Sequence, residues 1–344
     1  MSRRSLTLAI AGLATVVAIV LAVLVPVPYV ILTPGPTLNT LGKDSSGQPL
    51  ISITGHPTYP TSGHLNMVTI SYQGGPGADL NIFEALRAWV DPSEAVVPES
   101  ELFPAGQSAQ ETQAQDVEEM ASSQEQATAA ALTQLHIAYQ TQVEVVSTVA
   151  GYPASKSLKA GDIIEAVNGK PVTGETALSS VIKSYPTGTV LQIQVLRAGK
   201  TLTLPVASKS SDGTPVIGVQ VQQQYKFPFN VQITVGNIGG PSAGMMFALG
   251  IIDKLTTDNL TGGKFIAGTG EITPSGQVEP IGGIQQKLVA ARSAGATVFL
   301  APAGNCSDTA GAVPAGLRIV KVSTLSQAVS DLQAIKAGKP VPSC

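Results

Sequence analysis

Twenty consecutive positions, Leu6 to Val25, carry no charge, and Thr7 and Thr15 are their only polar side chains. A helix of that length is about 30 Å long, the thickness of a bilayer core. Arg3 and Arg4 precede the run and no further charge appears before Lys43. The excess of positive charge on the short side predicts a cytoplasmic tail at 1–5, a membrane anchor at 6–27 and the bulk of the chain outside. The run ends in VPVPYVIL rather than in small residues of the A-x-A kind, which favours an uncleaved anchor over a removable signal. Beyond it the pattern changes. PGPTLNTLG and the stretch Ile51–Tyr72 read as turns and short strands, with ISITG and HLNMVTISY alternating apolar and polar positions as half-buried strands do. NIFEALRAWV predicts a short amphipathic helix stopped by Asp91-Pro92. From Gln107 to Leu135 there is no Gly and no Pro, and Ala, Gln and Glu dominate; this predicts one long exposed helix, a solvated spacer at 107–135.

Between Val143 and Val206 short alternating runs follow one another closely. VEVVSTV is a strand, IIEAVNGKPV two strands about the hairpin dipeptide Asn168-Gly169, ETALSSVIKSY a helix, and VLQIQVLRAGKTLTLPV a hairpin. From about Pro215 to Ile335 strands and helices alternate around Gly-rich turns, the mark of a layered α/β or α+β unit. Composition narrows the classes. Hydrophobic residues make up 43% and charged ones 12%, which supplies ample core and excludes wholesale disorder. A net charge of −3 excludes nucleic-acid binding driven by bulk positive charge. Three His and two Cys leave little for a metal site, and no cofactor is expected.

Two segments carry candidate chemistry. In NIGGPSAGMMF, Ser242 follows Gly239-Gly240 and Pro241 at the mouth of an apolar helix, where backbone amides lack intrahelical partners. Those amides can stabilise an oxyanion, but a serine there also serves as an N-cap, and a Gly-rich turn of this kind also binds phosphate. In GTGEITPSGQVEPIGGIQQKLVAARSAG, Lys287 has the apolar neighbours Leu288, Ala290 and Ala291. A lysine turned into a desolvated site loses its charge more readily and becomes a usable general base. Periodicity alone leaves a solvated lysine equally open.

LKAGDIIEAVNGKPV with the helix and hairpin after it resembles a bacterial PDZ domain, a module that binds extended peptides. GPSAG together with TGEITPSGQVEPIGGIQQKL resembles the proteolytic domain of Lon proteases, across most of 228–300. That resemblance implies a Ser–Lys peptidase with Ser242 as nucleophile, Lys287 as general base, Thr269 orienting the lysine, and the amides of Ser242 and Ala243 as oxyanion donors. Gly239 departs from it, since many Lon proteases carry an acidic residue three positions before the serine. No G-x-x-x-x-G-K-[ST] loop occurs in the 344 residues, so no ATP site is expected. The combination is similar to the ATP-independent, PDZ-containing Lon-like proteases of Gram-positive bacteria, the YlbL type. It implies an anchored peptidase with strands at 28–106 packing on the peptidase unit, a PDZ-like domain at 136–207, a Lon-like domain at 213–338 and a tail at 339–344. Its partners would be protein or peptide substrates and the membrane, without nucleic acid or ATP, and a homo-oligomer is compatible with the family. A scaffold that keeps the fold and presents a PDZ groove is the alternative from another class.

Other constellations are weaker. Ser180-Val-Ile-Lys183 fits S-x-x-K without the companion motifs of penicillin-binding proteins. His56, His64 and His136 are scattered, though a Ser–His–Asp triad assembles from distant segments in any case. Cys306 and Cys344 both follow the anchor, where oxidation is favoured, and a bridge would pin the C-terminal tail.

Overall fold

The computed structural model describes residues 3–344 apart from Ser45 and Ala105. The apolar run forms the helix Arg3–Leu24. It is long and apolar enough to cross a membrane, with a mean hydropathy of 2.7, and none of it is buried in the protein. The chain divides into two compact units, one made of residues up to Ile137, the apolar helix included, and from Phe229 onward, the other of Ala138–Pro228.

The first unit is built on a six-stranded mixed sheet in the order Arg318–Val322, Val298–Pro302, Phe265–Gly268, His64–Gln73, Tyr29–Asn39, Ala95–Pro98. Early and late segments thus share one sheet, joined where Phe265–Gly268 pairs in parallel with His64–Met67. The joining strand is only four residues long. The second half of His64–Gln73 therefore runs on past it, leaving room for a cleft on that side. Of PGPTLNTLG, the first six residues complete the eleven-residue strand Tyr29–Asn39, and Thr40 to Gly42 form the turn. A register shift between Pro34 and Thr37 absorbs the prolines, which cannot donate to a ladder, and the alternating pattern is broken there for the same reason.

The helix Gly244–Leu255 is apolar on every side, and all its residues except Lys254 are buried. Against it packs the helix Ala109–Gln134, capped by Ser108 and Glu111 in a reciprocal box. This corrects the reading of 107–135 as a solvated spacer. Its C-terminal half, Ala127 to Leu132, is buried, because small alanines let two helices approach closely. Cys306 and Cys344 are joined by a disulfide, and Lys321 N donates to Pro342 O, so the tail is held once to the short 3-10 turn Ala303–Thr309 and once to the last strand.

In the second unit a five-strand path runs Val219–Lys226, Gln140–Thr148, Ile163–Val167, Val190–Arg197, Lys200–Ala207, with the helix Glu175–Lys183 closing the core through Leu178 and Ile182. Asn168 and Gly169 both have positive φ, 49° and 77°, as a type I′ turn requires. The unit extends beyond 207: Val219–Lys226 pairs with Gln140–Thr148 over its whole length. Residues 213–228, placed by sequence with the later domain, therefore lie outside it. Their alternation of Val and Gln suits either sheet, and only the pairing decides.

Candidate active site

Ser242 lies just ahead of the helix Gly244–Leu255, whose N-cap is Ala243 and receives no side-chain cap. The N-cap reading of Ser242 therefore falls. Its hydroxyl is engaged elsewhere: Lys287 Nζ lies 2.9 Å from Ser242 Oγ. The lysine comes from the helix Ile284–Ser293, on the face that buries Ile284, Leu288 and Ala291. Lys287 falls on that same face, so the helix turns its base into the protein rather than into water. Only 3% of Lys287 is exposed, and burial pulls its pKa down from 10.5 to about 8.

Thr269, fully buried after the strand Phe265–Gly268, ties the two together. Its Oγ1 lies 3.4 Å from Lys287 Nζ and donates to the Ser242 carbonyl at 2.9 Å. Gly270 N donates to the same carbonyl at 2.8 Å. The backbone at Ser242 is thereby fixed by the TGE element while its hydroxyl stays free to face the amine. The amides of Ser242 and Ala243 make no hydrogen bond among the described residues, and both residues line the cleft. The structure therefore brings together Ser242, Lys287, Thr269 and Ala243. It leaves apart Ser180 and Lys183, which lie on the helix Glu175–Lys183 of the other unit. His56 packs at a tilt against Phe229 and His64 stacks on Phe265, and neither lines the cleft at Ser242. No group of His, Cys, Asp and Glu among the described residues is arranged to hold a metal.

A cleft of about 680 Å³ opens over the pair, with Val68 to Tyr72 on one wall and the long helix Ala109–Gln134 on the other. Sequence reasoning missed that second wall. Ser123 Oγ donates to Pro241 O at 2.9 Å, and Gly240 N donates to the Asp116 carbonyl at 3.0 Å, so the helix grips the loop just before the serine. Asp116 stands over Gly239, where its carboxyl is pushed up by burial and by nearby Glu119. A methyl on Gly239 would come within 2.5 Å of Asp116 Cβ, so glycine is required there for close approach. Gly240 follows with φ of +83° and allows the chain to turn into the helix mouth. The one signal in the sequence was the apolar run Ala129–Leu132, which marks a buried helix end.

Gly239→Ala should therefore force helix and loop apart. A loss of about 1–2 kcal/mol is expected from overpacking, read as a lower denaturation midpoint. Unchanged stability would mean that the helix is not seated as described.

Two stretches of the chain match known domain families. The model for the Lon protease (S16) C-terminal proteolytic domain matches residues 219–334, and the PDZ domain model matches 112–207. The chain thus carries one stretch similar to the Lon proteolytic domain and one similar to a PDZ domain. Lon protease of Campylobacter concisus is 31% identical over 167 residues, which are 46% of this chain and 20% of that one. Lon protease 1 of Bacillus subtilis is 31% identical over 119 residues, 33% of this chain and 15% of that one. This Lon-like chain thus spans a fifth or less of the length of these two relatives. Among solved structures, the PDZ domain of an SdrC-like protein from Listeria monocytogenes is 26% identical, covering 23% of this chain and 85% of that one, with a TM-score of 0.22. The PDZ match takes in part of the helix Ala109–Gln134, which structurally belongs to the first unit.

Proposed function

We propose that this chain is a membrane-anchored, ATP-independent serine endopeptidase that cuts protein or peptide segments outside the membrane, with Ser242 and Lys287 as its catalytic dyad. The observation that carries the reading is the 2.9 Å approach of a buried lysine amine to a serine hydroxyl at a helix mouth. A neutral Lys287 takes the Ser242 proton as Oγ attacks the scissile carbonyl. The amides of Ser242 and Ala243 receive the oxyanion. As the tetrahedral intermediate collapses, the C–N bond breaks and Lys287 returns the proton to the leaving amine. Water, deprotonated by the same amine, then attacks the acyl-serine; the C–Oγ bond breaks, Lys287 returns the proton to Ser242 Oγ, and the acid leaves. Thr269 is a positioning residue, since its hydroxyl holds the Ser242 carbonyl and sits beside the amine. The PDZ unit binds a protein segment or gates access. Within the 344 residues no phosphate-cradling G-x-x-x-x-G-K-[ST] loop occurs, which supports action without ATP and on flexible or unfolded segments.

The test uses the full chain in detergent, with casein and a fluorophosphonate probe. Casein should be cleaved without ATP, and the probe should label Ser242. Labelling should be lost in Lys287→Ala while the folded signal is kept. No labelling and no cleavage by folded protein would leave the scaffold reading instead.

A further inference from the structure

The short helix Ile82–Val90 is apolar on two sides, and only one is explained by the core. Ala85 and Ala88 are buried against Ile31 and Leu80. On its outer side Phe83 and Leu86 are about half exposed, Trp89 is 75% exposed and Val90 is 82% exposed. At about 100° per residue these four fall within about a third of the helix circumference, so they form one continuous strip. The other large exposed apolar side chains beyond the first helix are spread over separate segments. The strip also has a definite neighbour. Val27, in the link between the helix Arg3–Leu24 and the first strand, packs into the same cluster as Ala85 and Ala88, and its amide donates to Leu80 O. Tyr29, two residues on, is 40% exposed. The strip therefore sits where the chain leaves the apolar span.

We infer that Ile82–Val90 is an interfacial helix that lays Phe83, Leu86, Trp89 and Val90 into the outer surface of the same bilayer the first helix crosses. A nine-residue helix has little membrane affinity alone. Tethered beside a span it needs little, because the tether supplies a high effective concentration. Trp and Tyr prefer this depth, with the ring in the acyl boundary and the polar edge among headgroups. Arg87 lies beside the strip and is neutralised by Glu94 at 2.9 Å, so no unpaired charge is carried into the interface from that side. The consequence is a second point of attachment that fixes the orientation of the first unit on the membrane. The inference rests on the reading of Arg3–Leu24 as a membrane span.

Trp89 is the single tryptophan of the chain, which makes the test direct. The full chain is placed in nanodiscs, one chain per disc, and the emission of Trp89 is recorded in ordinary lipid and in lipids brominated near the headgroup or near the chain end. A blue-shifted emission, quenched strongly by the shallow bromine and weakly by the deep one, is expected. Phe83→Glu with Leu86→Glu should return the emission to that of hydrated indole and abolish the bromine quenching. Hydrated emission in a chain that has entered the disc overturns this inference and leaves the anchor intact. Blue-shifted emission that no brominated lipid quenches also overturns it, since protein would then cover the strip. A chain that fails to enter the disc overturns both the anchor and the inference.

Discussion

Cleavage by the wild-type chain should climb about tenfold per pH unit below pH 8 and flatten above it, because only a neutral Lys287 can accept the serine proton. The sign follows from the cause. Burial disfavours the ammonium and brings its pKa to about 8, so protonation silences the site from the acid side. At neutral pH about a tenth of the free enzyme would hold the competent form. A bound substrate that excludes more water should move the limb of kcat to lower pH than that of kcat/KM. Lys287→Ala should lower kcat by roughly 10²–10⁴, the range for removal of a general base. Lys287→Arg should be as inactive as Lys287→Ala although it keeps the charge, since a guanidinium does not give up its proton in a protein. Ser242→Ala should remove acyl transfer altogether. A flat profile between pH 6 and 9, or an active Lys287→Arg, would end the dyad account. The measurement is the initial rate on a labelled peptide across that range, with folding checked at each pH.

Much of this site could be read from the chain before its fold. The order of Gly-Gly-Pro-Ser before an apolar run places a serine at a helix mouth, and the structure puts Ser242 there. Lys287 was ambiguous, because apolar neighbours at 288, 290 and 291 fit a helix buried on one side whichever way residue 287 points. What decided it was the packing of Ile284 and Leu288 against Ala267 and Phe299, which no local pattern encodes. The helix 109–134 misled for a related reason. Its first half, rich in Gln and Glu, is solvated as such a composition suggests, yet three side chains on it, Asp116, Met120 and Ser123, reach the cleft or its loop. Single contacts made across more than a hundred residues of chain leave no periodic trace. The PDZ boundary was lost similarly, since strand pairing is a property of two segments and Val219–Lys226 alternates without naming its partner.

Lys287→Met should give a protein that is inert but more stable by about 3 kcal/mol at pH 7. A lysine that titrates at about 8 when folded and at 10.5 when unfolded is bound less tightly to its proton in the native state. Between those values the unfolded chain holds more protons, so wild-type stability should rise with pH there. Below about pH 8 the full cost is present, and above about 10.5 it is gone. Methionine fills the same channel between the helices without a charge to desolvate. The hydrogen bonds it gives up are few: Thr269 still donates to the Ser242 carbonyl, and the half-exposed Ser242 hydroxyl can turn to water. The gain over wild type should therefore be largest at and below neutral pH and fade toward pH 10.5. Denaturant unfolding followed by far-UV circular dichroism reads the difference. A variant no more stable than wild type at pH 7, or a gain that does not shrink as pH rises, would show that Lys287 is not held against its preferred charge. Its role as a base would then lose its physical ground, because a lysine left comfortably protonated cannot take a proton from a serine.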